Sequence, residues 1–193
     1  DKHNQIRAMS LQEADKFKKG RLTDLCRWAV ARTYFDHGED DRFHQYALPL
    51  ISSKKQSPAL DYADIVVSIV RRCARREDFE LGFELLSELP RLAPDEPLLE
   101  RRFRAILTIQ SGDHEAGFEL LSALTEEESA DALLFLAIGE DLCGIACFEE
   151  AIDYLESAQE KARKANEHEL LVSVDNAMQF AQRHIGYSDA VAE

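Results

Sequence analysis

Two clusters of arginine carry the side chains with the most distinctive chemistry in the sequence. The segment RRCARR holds Arg71, Arg72, Arg75 and Arg76, and the segment RRFR holds Arg101, Arg102 and Arg104. Planar guanidinium groups bind carboxylates through paired hydrogen bonds, so such clusters are typical of a surface that binds an acidic group. The alternative is that these arginines pair with acids of their own chain. The candidates are Glu77, Asp78, Asp95, Glu96 and Glu100.

Sequence motifs for catalysis are missing. The chain has no glycine-rich phosphate loop, no G-x-S-x-G and no H-E-x-x-H, so we expect neither an enzyme nor a cofactor. His37 and His44, with Asp40 and Asp41 between them, are residue types that bind metals. We interpret them as a solvated loop and predict no metal site.

The acidic residues are unevenly distributed. The formal net charge is −14, and residues 105–160 contain no Lys or Arg. The acids of this stretch include Glu140, Glu149, Glu150, Asp153 and Glu156. Because an acidic body repels phosphate backbones, we expect no nucleic-acid partner and favour another protein or peptide with a basic surface. Most of these acids are predicted to lie on the solvent-exposed outer face of a helix.

The four cysteines and the hydropathy of the chain indicate where in the cell the protein is located. Cys26, Cys73, Cys143 and Cys147 lack the spacing of a zinc site and lie among apolar residues, so we expect reduced, buried thiols in a cytoplasmic protein. A disulfide between Cys143 and Cys147 is the minor alternative. No apolar run is long enough to predict a membrane span.

A short apolar phrase occurs twice. GFELLSEL begins at Gly82 and GFELLSAL begins at Gly117, 35 residues later, and a related phrase, AIDYLESA, begins at Ala151. Repetition at this interval is a signature of stacked helical units. We therefore predict four to five units, in which a small residue lets two helices approach closely.

Helical periodicity fills the interval between the phrases. Ala151, Ile152, Leu155, Ala158 and Ala162 fall on one stripe of a helix, together with Phe148. The preceding segment supplies the facing helix through Leu133, Leu134, Phe135, Ile138 and Leu142. Each unit is therefore predicted to be an antiparallel helix pair. The aromatic residues Trp28, Tyr34, Phe35, Phe43 and Tyr46 are assigned to core packing.

Helix boundaries follow from capping residues. We predict Ser57 with Pro58 as the start of one helix, Asp113 as the N-cap of another, and Thr125 with Glu128 as a capping box. The predicted helices are 4–18, 21–36, 42–53, 58–76, 79–91, 97–110, 114–124, 128–143, 147–164 and 168–184, with a stub after 187.

These features resemble the tetratricopeptide repeat (TPR), whose unit is a 34-residue helix pair. Phe135, Ile138, Gly139 and Leu142 stand at the family's first-helix positions. Ala151, Leu155 and Ala158 stand at its second-helix positions. Arg101 and Arg104 depart from the pattern, since those positions are usually apolar. The resemblance covers roughly residues 30–193.

The resemblance implies an all-α fold, a right-handed α-solenoid of antiparallel helix pairs. The chain is then a single domain over 1–193, with a capping helix at 1–20 and units at 21–55, 58–94, 97–125, 128–164 and 168–193, the last incomplete. First helices line the concave groove in this family. Arg71, Arg75, Arg102 and Glu140 map to that lining and are the candidate ligand-binding residues.

The implied function is a non-enzymatic adaptor or scaffold that binds a partner segment in its groove. Two alternatives stay open, a cytosolic chaperone of a secreted or assembling substrate and a regulatory domain of a larger signalling protein or enzyme. A groove of both charge signs would also fit a second copy of the chain, so a homo-oligomer is a further alternative.

Overall fold

The computed structural model describes residues 23–53, 57–127 and 130–192, with side chains described through 185. These residues are predominantly helical and include no strand. The helices are α1 (Asp24–Asp36), α2 (Asp40–Ile51), α3 (Tyr62–Arg75), α4 (Phe79–Leu86), α5 (Leu89–Leu92), α6 (Pro97–Gln110), α7 (His114–Thr125), α8 (Ala132–Gly144), α9 (Phe148–Ala165) and α10 (His168–Ala192). The predicted capping helix at 1–20 lies outside the described residues.

The repeat period is visible in the helix starts. Tyr62, Pro97 and Ala132 begin α3, α6 and α8 at intervals of 35 residues. The second helices α4, α7 and α9 follow at the same period to within one residue. The turn before each second helix also repeats, since Glu77, Gly112 and Ala146 all adopt positive φ, at 59°, 101° and 64°. The predicted all-α fold of consecutive helix pairs is confirmed, and the right-handed course of the stack stays a prediction.

Several predicted boundaries are wrong, each for a local reason. Asp61 caps α3 by accepting a hydrogen bond from the Asp64 amide at 3.0 Å, so the helix begins after Ser57 and Pro58. Asp131 caps α8 in the same way through the Leu134 amide at 2.9 Å, which replaces the predicted capping box. The predicted cap of α7 is confirmed, because Asp113 accepts from the Ala116 amide at 3.2 Å.

Two helices differ in length from the prediction. The segment 79–91 is divided into α4 and α5, with Pro90 in the first turn of α5. Proline lacks the N–H that a continuous helix needs at this point. Helix α10 instead continues to Ala192 and passes the predicted stop at residue 184.

The contacts divide the chain into two compact units, Asp1–Pro97 and Leu98–Glu193. In the first unit α1 packs on α2, α2 contacts α3, and α3 packs on α4 and α5. Its fully buried side chains include Tyr34, Phe43, Leu50, Ile65, Ile69 and Leu86. The rings of Tyr34 and Tyr46 stack at 5.6 Å and those of Phe35 and Phe43 meet at 5.2 Å. Core packing of these aromatic residues is therefore confirmed.

In the second unit α9 packs between α8 and α10, and α7 contacts α8. Ala151, Leu155, Ala158 and Ala162 are all fully buried, as the periodicity predicted. Gly117 on α7 crosses α6 so closely that an added Cβ would lie 3.0 Å from the Ala105 carbonyl oxygen. The small residue of the repeated phrase therefore permits the close helix crossing, as predicted.

Candidate functional site

The arginines of α3 divide into a buried one and an exposed pair. Arg72 is only 12% exposed; its Nε lies 2.8 Å from Oδ1 of Asp40 and its Nη2 donates to the Phe35 carbonyl at 2.6 Å. The guanidinium also lies 4.4 Å from the centre of the Phe35 ring. Arg72 therefore links α3 to the end of α1 and the start of α2. Arg71 and Arg75, two of the candidate residues, are exposed.

Arg71 and Arg75 belong to the wet face of an otherwise buried helix. Nine of the fourteen residues of α3 are buried. The remaining face carries Asp64, Ser68, Arg71 and Arg75, at helical spacing, and we name this set the α3 stripe. Asp64 lies near its start and the two cations near its end, so the stripe is charged at both ends.

Arg102 and Glu140, the other two candidates, lie close together in the second unit. The Nε of Arg102 on α6 is 3.0 Å from Oδ2 of Asp141 on α8, and the two side chains are only 18% and 8% exposed. Glu140 is exposed beside this pair. Partial burial raises the pKa of Glu140, the neighbouring Asp141 raises it further, and Arg102 acts in the opposite direction. The ion pair fixes Arg102 as a link between two first helices.

The intrachain partners of the arginines differ from those expected. Arg104 pairs with Glu100 at 2.6 Å, as predicted. The other described ion pairs of the two clusters are Arg72 with Asp40, Arg76 with Asp41, Arg101 with Glu127 and Arg102 with Asp141. All four of these acids are distant in sequence; Asp40 and Asp41 belong to α2, Asp141 belongs to α8, and Glu127 follows the end of α7.

Helix α8 has a stripe of the same spacing as α3 but of different chemistry. Its solvent-facing positions are Leu133, Ala137, Glu140 and Gly144, which we name the α8 stripe. Leu133 was predicted to lie in the core, and this is wrong, since it is 59% exposed while Leu134 is 8% exposed. The stripe therefore presents one large apolar side chain and one carboxylate.

A hollow of about 600 Å³ adjoins Leu133, where α8 and α10 begin. It is lined by Asp131, Leu133, Glu167, His168, Glu169, Leu170 and Ser173. Sequence reasoning missed this hollow, because nothing in the sequence brings the start of α10 beside that of α8. The exposed acids Glu149, Glu150, Asp153 and Glu156 lie on the outer face of α9, as predicted.

The described residues show no sign of a metal centre or a membrane span. No three His, Cys, Asp or Glu side chains in this part of the chain are grouped so that they could hold a metal ion. His37 instead places its Nδ1 2.7 Å from the Thr33 carbonyl oxygen, and burial lowers the pKa of His44. No helix within the described ranges has the length and apolar content needed to cross a bilayer.

The four cysteine thiols are free, and the prediction that they are buried is wrong for Cys26. Cys73 and Cys143 are buried and Cys147 is half-buried, whereas Cys26 is exposed. Burial raises the pKa of Cys73 to about 11, so this thiol is a poor nucleophile at neutral pH.

No protein-family profile matches the chain, and no curated protein matches it. Among solved structures, a thermophilic TPR protein from Thermus thermophilus is 17% identical, with 90% of this chain and 91% of that chain covered and a TM-score of 0.48. The fold assignment rests on the chain's own helix pairs and their period.

Proposed function

We propose that the chain is a non-enzymatic module that binds a partner protein through exposed stripes of first helices, the α3 stripe in the first unit and the α8 stripe in the second. The observation that carries the proposal is the contrast within α3 and α8. Both helices are mostly buried, and each leaves a single narrow stripe whose side chains have specific chemistry. The α3 stripe presents two exposed cations, and the α8 stripe presents a leucine that is 59% exposed beside a carboxylate, so each stripe offers groups that a complementary partner surface contacts.

The candidate residues take different roles in this proposal. Arg71 and Arg75 contact acidic groups of the partner, and Glu140 contacts a basic group. Arg102 is a positioning residue, because its guanidinium is held by Asp141 at 3.0 Å and is mostly shielded from solvent. The net charge of −14 favours a partner with a basic surface over a nucleic acid.

The test is an affinity series with a partner recovered by pulldown and then purified. Arg75→Glu changes the α3 stripe, and Arg32→Glu is its matched control because Arg32 is exposed on α1 of the same unit. Glu140→Lys changes the α8 stripe, and Glu156→Lys is its control on the outer face of α9. Calorimetry should show that each stripe variant weakens binding about threefold to tenfold while the controls bind normally. Loss of binding in the controls alone would show that the outer faces bind the partner.

A further inference from the structure

The hollow where α8 and α10 begin combines an exposed apolar surface with negatively charged side chains. Resting on the proposed function, we infer that it binds an apolar side chain of a partner segment in which Lys or Arg stands beside that side chain. The hollow is the specificity pocket of the α8 stripe, because Leu133 belongs to both.

The apolar part of the argument begins with Leu133. This side chain is 59% exposed, although Leu134 and Leu136 in the same helix are 8% and 4% exposed. Leu170, which is half-buried, lines the same hollow from α10. A volume of about 600 Å³ is within the range of pockets that hold small ligands, and it accommodates one large side chain. Such a side chain would cover the exposed part of Leu133.

The charged part of the argument comes from the rim. Asp131, Glu167 and Glu169 are exposed around Leu133. The amino ends of α8 and α10 each contribute about half a positive charge, so the three carboxylates outweigh them. Lys161 lies beside the hollow but does not line it. Its ammonium group donates to the Ala130 carbonyl at 2.9 Å and lies over the Phe135 ring. The rim therefore attracts a cation from outside and repels acidic peptides.

A second hollow, in the first unit, makes a useful contrast. It is lined in part by Leu48, Ile51 and Arg91, and it also measures about 600 Å³. Arg91 already pairs with Glu88 at 2.8 Å and donates to the Ile51 carbonyl at 2.8 Å. This hollow therefore has a cation in its own lining and one carboxylate, Glu84, outside that ion pair, whereas the hollow beside Leu133 is lined by three carboxylates and by no Lys or Arg.

The test uses random twelve-residue peptides displayed on phage and selected on the full chain. Selected peptides are then titrated against wild type, Leu133→Glu and the pair Glu167→Lys with Glu169→Lys. The control is Glu149→Lys with Glu150→Lys, which makes the same charge change on exposed acids of the same unit. Circular dichroism verifies that each variant is folded.

We expect enriched peptides to carry Lys or Arg next to Leu, Met, Ile or Phe. Their affinity should fall about tenfold or more in both pocket variants and stay within about twofold of wild type in the control. Three results would overturn the inference. They are the absence of any such enrichment, equal loss in the control, and self-association of the chain that Leu133→Glu abolishes, which would make a second copy the occupant. A partner that still depends on Arg75 and Glu140 would keep the proposed function intact in each case.

Discussion

Replacing Gly117 with alanine tests the close crossing of α6 and α7. The new Cβ would lie 3.0 Å from both the Ala105 carbonyl oxygen and the Ile109 amide nitrogen, and it would overlap the Ile109 side chain. Two of these contacts are with backbone, so α6 and α7 must separate. Overpacking of this kind costs about 1–3 kcal/mol, and the higher helix propensity of alanine returns about 1 kcal/mol. We expect the free energy of unfolding to fall by up to about 2 kcal/mol.

The matched control is Gly144→Ala. No atom lies within 4 Å of a Cβ built at Gly144, so this variant has the gain in helix propensity without the overpacking cost, and it should be as stable as wild type or up to about 1 kcal/mol more stable. Urea unfolding followed by far-ultraviolet circular dichroism measures both variants. Equal stability of the Gly117 and Gly144 variants would refute the explanation of the repeated glycine as a packing requirement.

Three further predictions concern the titratable residues. Arg102→Met should lower the free energy of unfolding by about 2–3 kcal/mol, because Asp141 is only 8% exposed and would lose its cation. Urea unfolding identical to that of wild type would contradict the assignment of Arg102 as a positioning residue. Glu140→Gln should stabilise the protein at neutral pH and lose this advantage in acid. Because the pKa of Glu140 is raised in the folded state, the folded state binds a proton more tightly than the unfolded state does. Wild type therefore loses stability as the pH rises through the range in which Glu140 ionises, whereas the glutamine variant does not. Urea midpoints at both pH values measure this, and a variant less stable than wild type at neutral pH would contradict it. A thiol reagent at mildly alkaline pH should modify Cys26 first and reach Cys73 only after unfolding, as read by mass spectrometry; early modification of Cys73 would contradict its burial.

The period was readable from the sequence because it depends on packing between adjacent helices. Gly117 and Ala151 had to be small, and their spacing predicted the helix pairs. The caps were harder to predict, because several residues near each start can accept an amide hydrogen bond. Asp61 and Asp131 form the caps in place of Ser57 and Thr125. The path of the preceding turn decides which side chain reaches the helix amides, and the sequence does not show that path.

The candidate site was less predictable than the fold. Leu133 belongs to an unbroken apolar run, and such a run does not show which of its members faces solvent. The Arg102 and Asp141 pair joins residues 39 positions apart in sequence, so its formation depends on how α6 and α8 pack. The sequence predicted Arg71, Arg75 and Glu140 as candidate ligand-binding residues; all three are exposed on first helices, and their binding role stays a prediction.

Site-specific photo-crosslinking measures most directly whether the first-helix stripes bind a partner. A benzoylphenylalanine side chain would replace Arg75, Leu133 or, as the control on the outer face of α9, Glu156. All three positions are exposed, so the probe should not disturb folding. We predict crosslinks to the same partner from positions 75 and 133 and none from 156. Crosslinks from 156 alone would contradict the proposal and place binding on the acidic outer face.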